Sequence, residues 1–395
     1  MSLAVPDPLS RASDDSAEGP VVFADPHSPA APIRLLLACE GWTATPQITF
    51  VEGLRRWREA GAATLCAVTE PTLEKLRATS GGEAAKAFLA AQFDRISPTA
   101  LVLSRFAGPD ARTLVSMARE RRIPVVFQLD DDLFEAPISL GAAAYARYRH
   151  PVRLHTVYWL AETADVVLAS TPELARRIRQ HCEPAPIFVG EPFVGARAAA
   201  APSGDKAAGE VRLGYMGSGT HGSDLELVAP ALERILATHP QVSLHFFGGI
   251  GKTRVARAFA DRASFTPRVD GAYTEFRGKL SGLGWDIGLA PLRTSPFNAC
   301  KTITKWVEYA EPGIAVLASA SSPYDAVGQA GAARLCSPDE WEQALAAAIL
   351  DADARAGLVE NSRRLLAERY SWELVERWLV DLLLTLPERA RSRAL

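Results

Sequence analysis

The sequence is short of the residues that build metal and disulfide frameworks. Its five cysteines (Cys39, Cys66, Cys182, Cys300 and Cys336) stand singly, with no CxxC pair, which argues against both a zinc ribbon and a disulfide scaffold. The seven histidines show no HExxH spacing, so a zincin site is not expected. No apolar run approaches the ~20 residues needed to cross a bilayer. No basic segment feeds an apolar one near the N-terminus, so no signal peptide is expected. Charge of one sign is also lacking: 43 Lys and Arg stand against 46 Asp and Glu, a net charge of −3. Nothing global therefore points to nucleic acid as a partner. A reducing, cytoplasmic setting fits these absences. Peripheral contact with the inner face of a membrane stays open through local patches such as Arg176-Arg177-Arg179, for which a solvated helix face is the plainer reading.

What is present is the makeup of a folded α/β protein. The 395 residues are 48% hydrophobic and 23% charged, enough for two domains of ordinary size. Residues 1–32 are rich in Pro, Ala, Ser and Asp without hydrophobic periodicity, and a flexible tail is expected there. Apolar strand patterns then fall at 33–38, 63–68, 100–104, 125–129 and 166–169. Helical spacing falls at 48–60, 84–93 and 108–121, and a helix opens at Thr171, with Pro172 at its first position. Residues 196–210 read as a linker. A second series follows, with strands at 211–216, 243–247, 286–290 and 315–318, and helices at 225–238, 303–310 and from 338 onward. Strands that are apolar throughout indicate parallel sheets covered on both faces. The expected architecture is two Rossmann-like, doubly wound domains, 33–195 and 211–371, with a final helix (372–395) packing back on the body.

Ligands of such sheets bind beyond the carboxyl ends of the strands, so the strand-to-helix loops carry the functional argument. The run Gly214-Tyr215-Met216-Gly217-Ser218-Gly219-Thr220-His221 ends a strand in a glycine-rich turn before a helix. Such a turn lets backbone amides approach an anion, although a tight turn alone would need the same glycines. In the second loop Pro291 is followed by Phe297, Asn298, Lys301 and Thr302, with Lys301 near the start of a helix. The helix dipole disfavours a cation there, so a bound phosphate would explain it; a solvated lysine is the alternative. Glu308 lies seven residues beyond Lys301, on the same helical face, where a carboxylate could accept both hydroxyls of a ribose. A salt bridge to Lys305 is the other reading. Asp130-Asp131-Asp132 end a strand of the first series. Three adjacent acids cost stability unless satisfied, so they mark an anionic or divalent-metal site, or else a capped turn into Leu133. The run Gly248-Gly249-Ile250-Gly251-Lys252-Thr253 approaches a phosphate-binding loop but has Phe246 where that motif needs glycine.

With these segments in place, the C-terminal half resembles the donor domain of GT-B glycosyltransferases, most closely family 4 (group 1). The resemblance spans about 211–375 and rests on LGYMGSGTHGSDLELVAPALERIL, VSLHFFG, WDIGLAPL, SPFNACKTITKWVEYAEPGIAVLAS and ERYSWELV. The first half is similar in its strand–helix pattern and in VVFQLDDDLFE. The resemblance implies a GT-B fold whose two domains face a central cleft. It also implies a nucleotide-diphosphate sugar donor, no cofactor or catalytic metal, and hexosyl transfer with retention in glycan or glycoconjugate biosynthesis. The acceptor could be a glycan, a lipid-linked glycan or a small molecule. On this reading Gly217, Ser218 and Gly219 contact the diphosphate, together with Thr220, His221 and Gly248. Pro291, Phe297, Asn298, Lys301, Thr302 and Lys305 line the phosphate and sugar subsites, and Glu308 binds the ribose. Lys301 and Asp130, Asp131 or Asp132 would be catalytic, and Glu40, Gly41 and Arg105 would lie on the acceptor side. Asp130 and Asp132 also satisfy DxD, the metal motif of the other large glycosyltransferase fold, but that fold has one domain. Two departures stand out: Ser218 replaces a frequent arginine, and Cys300 replaces the first of a usual pair of glutamates. Those departures leave open a non-catalytic binding module or a sugar-nucleotide epimerase of the same fold.

Overall fold

Strands that are apolar at every position need cover on both faces, and both sheets receive it. The computed structural model describes residues 21–26, 28–191, 206–269 and 271–393, so residues 1–20 of the expected tail and 196–205 of the expected linker lie outside the described residues. The first sheet contains β1 (Val21–Ala24), β2 (Ile33–Cys39), β3 (Ala63–Thr69), β4 (Ala100–Ser104), β5 (Val125–Leu129), β6 (Val166–Ala169) and β7 (Ile187–Val189). Their order is β1-β3-β2-β4-β5-β6-β7. All neighbours are parallel except β1, which runs antiparallel to β3. The second sheet contains β8 (Val211–Met216), β9 (Val242–Phe247), β10 (Ala263–Thr266), β11 (Ile287–Ala290), β12 (Ala315–Ser319) and β13 (Arg334–Cys336). It is wholly parallel, in the order β10-β9-β8-β11-β12-β13.

Alternation along β2 shows how one strand serves two cores. Leu36 and Ala38 join a cluster with Phe93, Leu114, Leu160 and Leu174 from the helices on one face. Leu35 and Leu37 join Phe50, Leu54, Leu379, Leu382, Leu383 and Leu386 on the other. The last four belong to the final helix, Trp372–Arg393. The chain therefore returns to its first domain to cover a sheet face that would otherwise be open.

Four local expectations are corrected. Residues 21–24, assigned by composition to the tail, form β1. This strand is short and only partly buried, and Asp25 anchors it by accepting from Leu65 N (2.9 Å) and Arg58 Nε (2.8 Å). Residues 48–60 do not form one α-helix. A π-helical turn, Gln47–Glu52, precedes a short helix, Arg55–Glu59, and Gly53 closes the wide turn where a Cβ would lie 2.2 Å from Thr49 O. The helix expected at 225–238 divides into Gly222–Leu225 and Ala229–Thr238, because Pro230 lacks an N–H and fits only a first turn. Lys301 lies in the link between Pro296–Ala299 and Thr304–Ala310, ahead of the helix rather than within its first turn.

Candidate functional site

The order of each sheet reverses at one point, between β2 and β4 in the first and between β8 and β11 in the second. Such switch points open a crevice at the carboxyl ends of the strands. In the second domain the opening has a visible cause. β8 and β11 pair only at Leu213–Ile287 and Gly214–Gly288. Beyond that, the Tyr309 hydroxyl accepts from Met216 N (3.0 Å) and donates to Leu289 O (3.1 Å), bridging the gap.

The first-domain wall is a closed network of ions built from strand ends. Glu40 follows β2, Arg105 follows β4, and Asp130 and Asp131 follow β5. Arg105 donates from Nε to Glu40 (2.9 Å), from Nη1 to Asp130 (2.5 Å) and Asp131 (2.7 Å), and from Nη2 to the Tyr148 hydroxyl (2.8 Å). Its φ of +53° is a left-handed conformation that a long side chain adopts at a cost. Burial opposes its charge, yet Asp130, Asp131 and Glu40 raise its pKa well above the ordinary arginine value. Thr45 donates to the other oxygen of Asp130 (2.5 Å), and Gly41 turns the chain, its carbonyl accepting from Thr43 N (2.9 Å). Behind this wall Arg147 and Arg153 each donate to Glu70 (2.7 Å). Burial pushes the Asp131 carboxyl up, but Lys301 and then Arg105 outweigh it and hold it well below the usual range.

Asp132 departs from its neighbours. Its side chain is 0% exposed. It accepts from Arg177 Nε (3.0 Å), lies 3.5 Å from His181 Nε2, and caps the turn by accepting from Phe134 N (3.2 Å). Asp132 thus fits the capped-turn reading, while Asp130 and Asp131 join the network at the ends of the strands. Asp132, Glu135 and His181 approach closely enough to be a possible metal set, but Arg177 already bridges both carboxylates. In the Arg176-Arg177-Arg179 cluster, Arg176 pairs with Glu173 (2.8 Å) and Arg177 with Asp132.

The second-domain wall is assembled from the loops after β8, β9 and β11. Gly217 donates to Phe247 O (3.1 Å) and accepts from Ile250 N (2.8 Å), stacking the first loop on the second. Gly248 has φ +96°, and a Cβ there would lie 2.8 Å from Gly217 O, so only glycine fits. Ser218 occupies the N-cap position of the 3-10 turn Gly219–His221, where the first amides have no intrahelical acceptor, and its hydroxyl meets that of Thr220 (2.7 Å). His221 contacts Asp224 (3.1 Å); burial, then Lys305, pushes its pKa down to about 4, leaving a neutral imidazole at pH 7. Pro291 is buried at the end of β11. Phe297 supports Lys301, whose Nζ lies 5.0 Å from the ring centroid. The Asn298 side chain donates to Arg293 O (2.8 Å), and the Thr302 hydroxyl meets that of Thr304 (2.7 Å).

Lys305 and Glu308 lie one turn apart on the helix Thr304–Ala310. Lys305 Nζ lies 4.4 Å from the Tyr215 ring centroid, and burial lowers its pKa to about 8. Glu308 does not form the alternative salt bridge with Lys305. It accepts from the Tyr273 hydroxyl (2.9 Å), and burial raises its pKa to about 7. The two walls meet where Lys301 Nζ donates to Asp131 (3.1 Å). Nearby, the Thr171 hydroxyl donates to Cys300 O (2.9 Å), and the Cys300 side chain is buried within a first-domain core cluster. Cys300 is thus an interdomain packing residue with its thiol withdrawn from the cleft. Sequence reasoning missed Gln47, Glu70, Tyr148, Arg153, Asp224 and Tyr273. Only Asp224, within the glycine-rich run, stood near a recognisable motif.

No family model matches this chain, and no curated protein sequence matches it. Solved structures do. The Anabaena protein HepE in complex with UDP-glucose superposes with a TM-score of 0.61 at 12% identity, over 89% of this chain and 99% of that one. A UDP-forming α,α-trehalose-phosphate synthase from Burkholderia vietnamiensis gives 0.59 at 12% identity, over 89% and 96%. S. aureus TarM gives 0.57 at 12% identity, and this chain covers only 59% of its length. A sheet parallel but for its edge strand and a second, wholly parallel one, with these likenesses, define the fold: the chain has the two-domain, Rossmann-like GT-B architecture.

Proposed function

We propose that the chain is a glycosyltransferase that moves a hexosyl group from a nucleotide-diphosphate sugar to an acceptor hydroxyl, with retention, in glycan or glycoconjugate biosynthesis. The observation that carries this reading is the second-domain wall. Two lysines, a glycine turn and a buried carboxylate converge there, and Lys305 lacks any ion-pair partner among the described residues. A diphosphate supplies the missing anion, with Lys301, Lys305 and the amides of residues 218–220 around it. Glu308 accepts from the ribose, and no metal is required for charge balance. The similar HepE structures hold UDP-glucose and UDP, which supports a donor of this class.

In the reaction the bond from the anomeric carbon to the diphosphate oxygen breaks while that carbon bonds the acceptor oxygen on the same face, and the acceptor's hydroxyl proton passes to the departing diphosphate oxygen beside it. Lys301 exchanges Asp131 for the departing phosphate and offsets its charge; one such contact is worth ~10²–10³ in rate. A carboxylate with a depressed pKa is a poor proton acceptor at neutral pH. Asp131 therefore steadies positive charge on the sugar ring, while Glu40, Gly41 and Arg105 shape the acceptor side. Ser218 and Cys300 motivate a second reading: a non-catalytic binding module, which would leave the donor intact, or an epimerase, which would act on the donor without an acceptor.

A thermal-shift series with UDP-, GDP-, ADP- and TDP-sugars, and CMP-sugars as the carrier without a diphosphate, tests the donor reading. One diphosphate sugar should raise the melting temperature, and Lys305→Ala should abolish the shift. No response at millimolar concentration overturns it.

A further inference from the structure

The Glu308 carboxylate is held by one residue, and that residue is held by the other domain. Tyr273 opens the helix Tyr273–Ser281 and is 8% exposed. Its hydroxyl donates to Glu308 Oε1 (2.9 Å). Its backbone N–H, which the start of a helix leaves without an intrahelical acceptor, donates instead to Gln47 Oε1 (2.8 Å). Gln47 is buried at the start of the π-helical turn in the first domain. The neighbouring Ile48 packs against Tyr273 and Phe276. The Tyr273 ring stacks on Phe276 (5.7 Å), which stacks on Phe247 at the end of β9 (5.2 Å). A continuous line of contacts therefore runs from the first domain, through Tyr273, to a carboxylate in the second.

We infer that Tyr273 is a positioning residue that aims Glu308 at the ribose diol of the donor, and that Gln47 sets Tyr273, so that the carboxylate is in place only while the two domains are in contact. This rests on the donor reading above. Packing alone does not account for the hydroxyl. A phenylalanine would stack equally well on Phe276, and the only partner of the phenol among the described residues is Glu308. The groups facing Glu308 are Tyr273, Lys305 and Arg277. Burial holds the Tyr273 phenol well above its ordinary pKa, so it remains a donor at neutral pH. Donation to a carboxylate favours the charged form, so removing the hydroxyl leaves Glu308 harder to ionise.

Two measurements on Tyr273→Phe test this in the full chain. The first is the titration of the Glu308 carboxyl by ¹³C NMR without ligand, assigned with Glu308→Gln. Its midpoint should rise above the wild-type value of about 7. An unmoved midpoint overturns the inference even if donors bind. The second is calorimetric binding of UDP, GDP and ADP against their 2′-deoxy forms. The wild type should prefer the ribo form of its nucleotide by about tenfold, the scale of a hydrogen bond to a charged group. Tyr273→Phe should erase the preference while keeping affinity for the deoxy form, and Gln47→Ala should reduce it about threefold, a partial loss within that scale. Equal loss of both forms marks a merely structural tyrosine and overturns the inference. Absence of all nucleotide binding in the wild type overturns the donor reading instead, and the carboxyl titration still judges the Tyr273–Glu308 contact.

Discussion

The two walls of the cleft treat charge in opposite ways. On the first-domain wall every carboxylate has a cation: Glu40, Asp130 and Asp131 share Arg105, and Glu70 has Arg147 and Arg153. On the second-domain wall Glu308 is buried and Lys305 part-buried, and among the described residues neither forms an ion pair. Their pKa values are drawn toward neutrality, to about 8 and about 7. Burying a charge without a partner costs free energy, and such groups cluster where a ligand completes the site. One wall is a finished structure, and the other keeps a cation and a carboxylate without ionic partners among the described residues. Lys301 belongs to both, because it leaves the second domain to pair with Asp131.

The largest effect is expected where the finished wall is broken. Arg105→Ala leaves Glu40, Asp130 and Asp131 facing one another with one counter-ion removed. Breaking a part-buried network in this way costs up to about 3–5 kcal/mol, and the left-handed backbone at residue 105 gives no relief, because alanine keeps the Cβ that makes it costly. Urea unfolding at pH 7 reads it, and an unchanged midpoint would reduce the network to decoration. Next is Lys301→Ala. Asp131 keeps Arg105, so stability should fall by no more than ~1 kcal/mol, the scale of a partly exposed pair. Transfer should fall ~10²–10³-fold because one contact to the leaving group is lost. A variant as unstable as Arg105→Ala, or one with full turnover, would erase the distinction between the walls.

The sequence announced the walls unequally. The strands were legible because buried parallel strands are apolar throughout, as Leu35–Leu36–Leu37 and Val125–Val126–Phe127 are. The glycine turn, Lys301, Lys305 and Glu308 were legible because they fall within 217–308 at loop and helix spacings. β1 was not, since Val21–Ala24 is a partly buried edge strand flanked by tail-like residues. Asp132 looked like its neighbours, because adjacent residues at a strand end diverge in direction and only the fold shows that Arg177 waits behind it. The partners of Glu70 lie 77 and 83 residues away, and Gln47 lies 226 residues from Tyr273. No local spacing encodes pairs of that kind.

The smallest expected effect is also the sharpest division between the walls, because it uses pH alone. On the proposed function, donor binding to the second-domain wall needs Glu308 ionised, above about 7, and Lys305 charged, below about 8. Affinity should therefore peak between these values. It should fall toward acid as Glu308 takes up a proton and toward alkali as Lys305 loses one, by up to about tenfold per pH unit on each side. Lys305→Met should remove the alkaline limb and keep the acid one. Glu308→Gln should remove the acid limb. On the first-domain wall Asp131 and Glu40 are held below the ordinary carboxylate range and Arg105 above the arginine one, so these three keep their charge across this window. Calorimetric titration of the stabilising nucleotide sugar from pH 5.5 to 9 reads all three profiles. A flat wild-type curve would mean that neither group touches the donor. An alkaline limb surviving in Lys305→Met would remove Lys305 from the donor's anion.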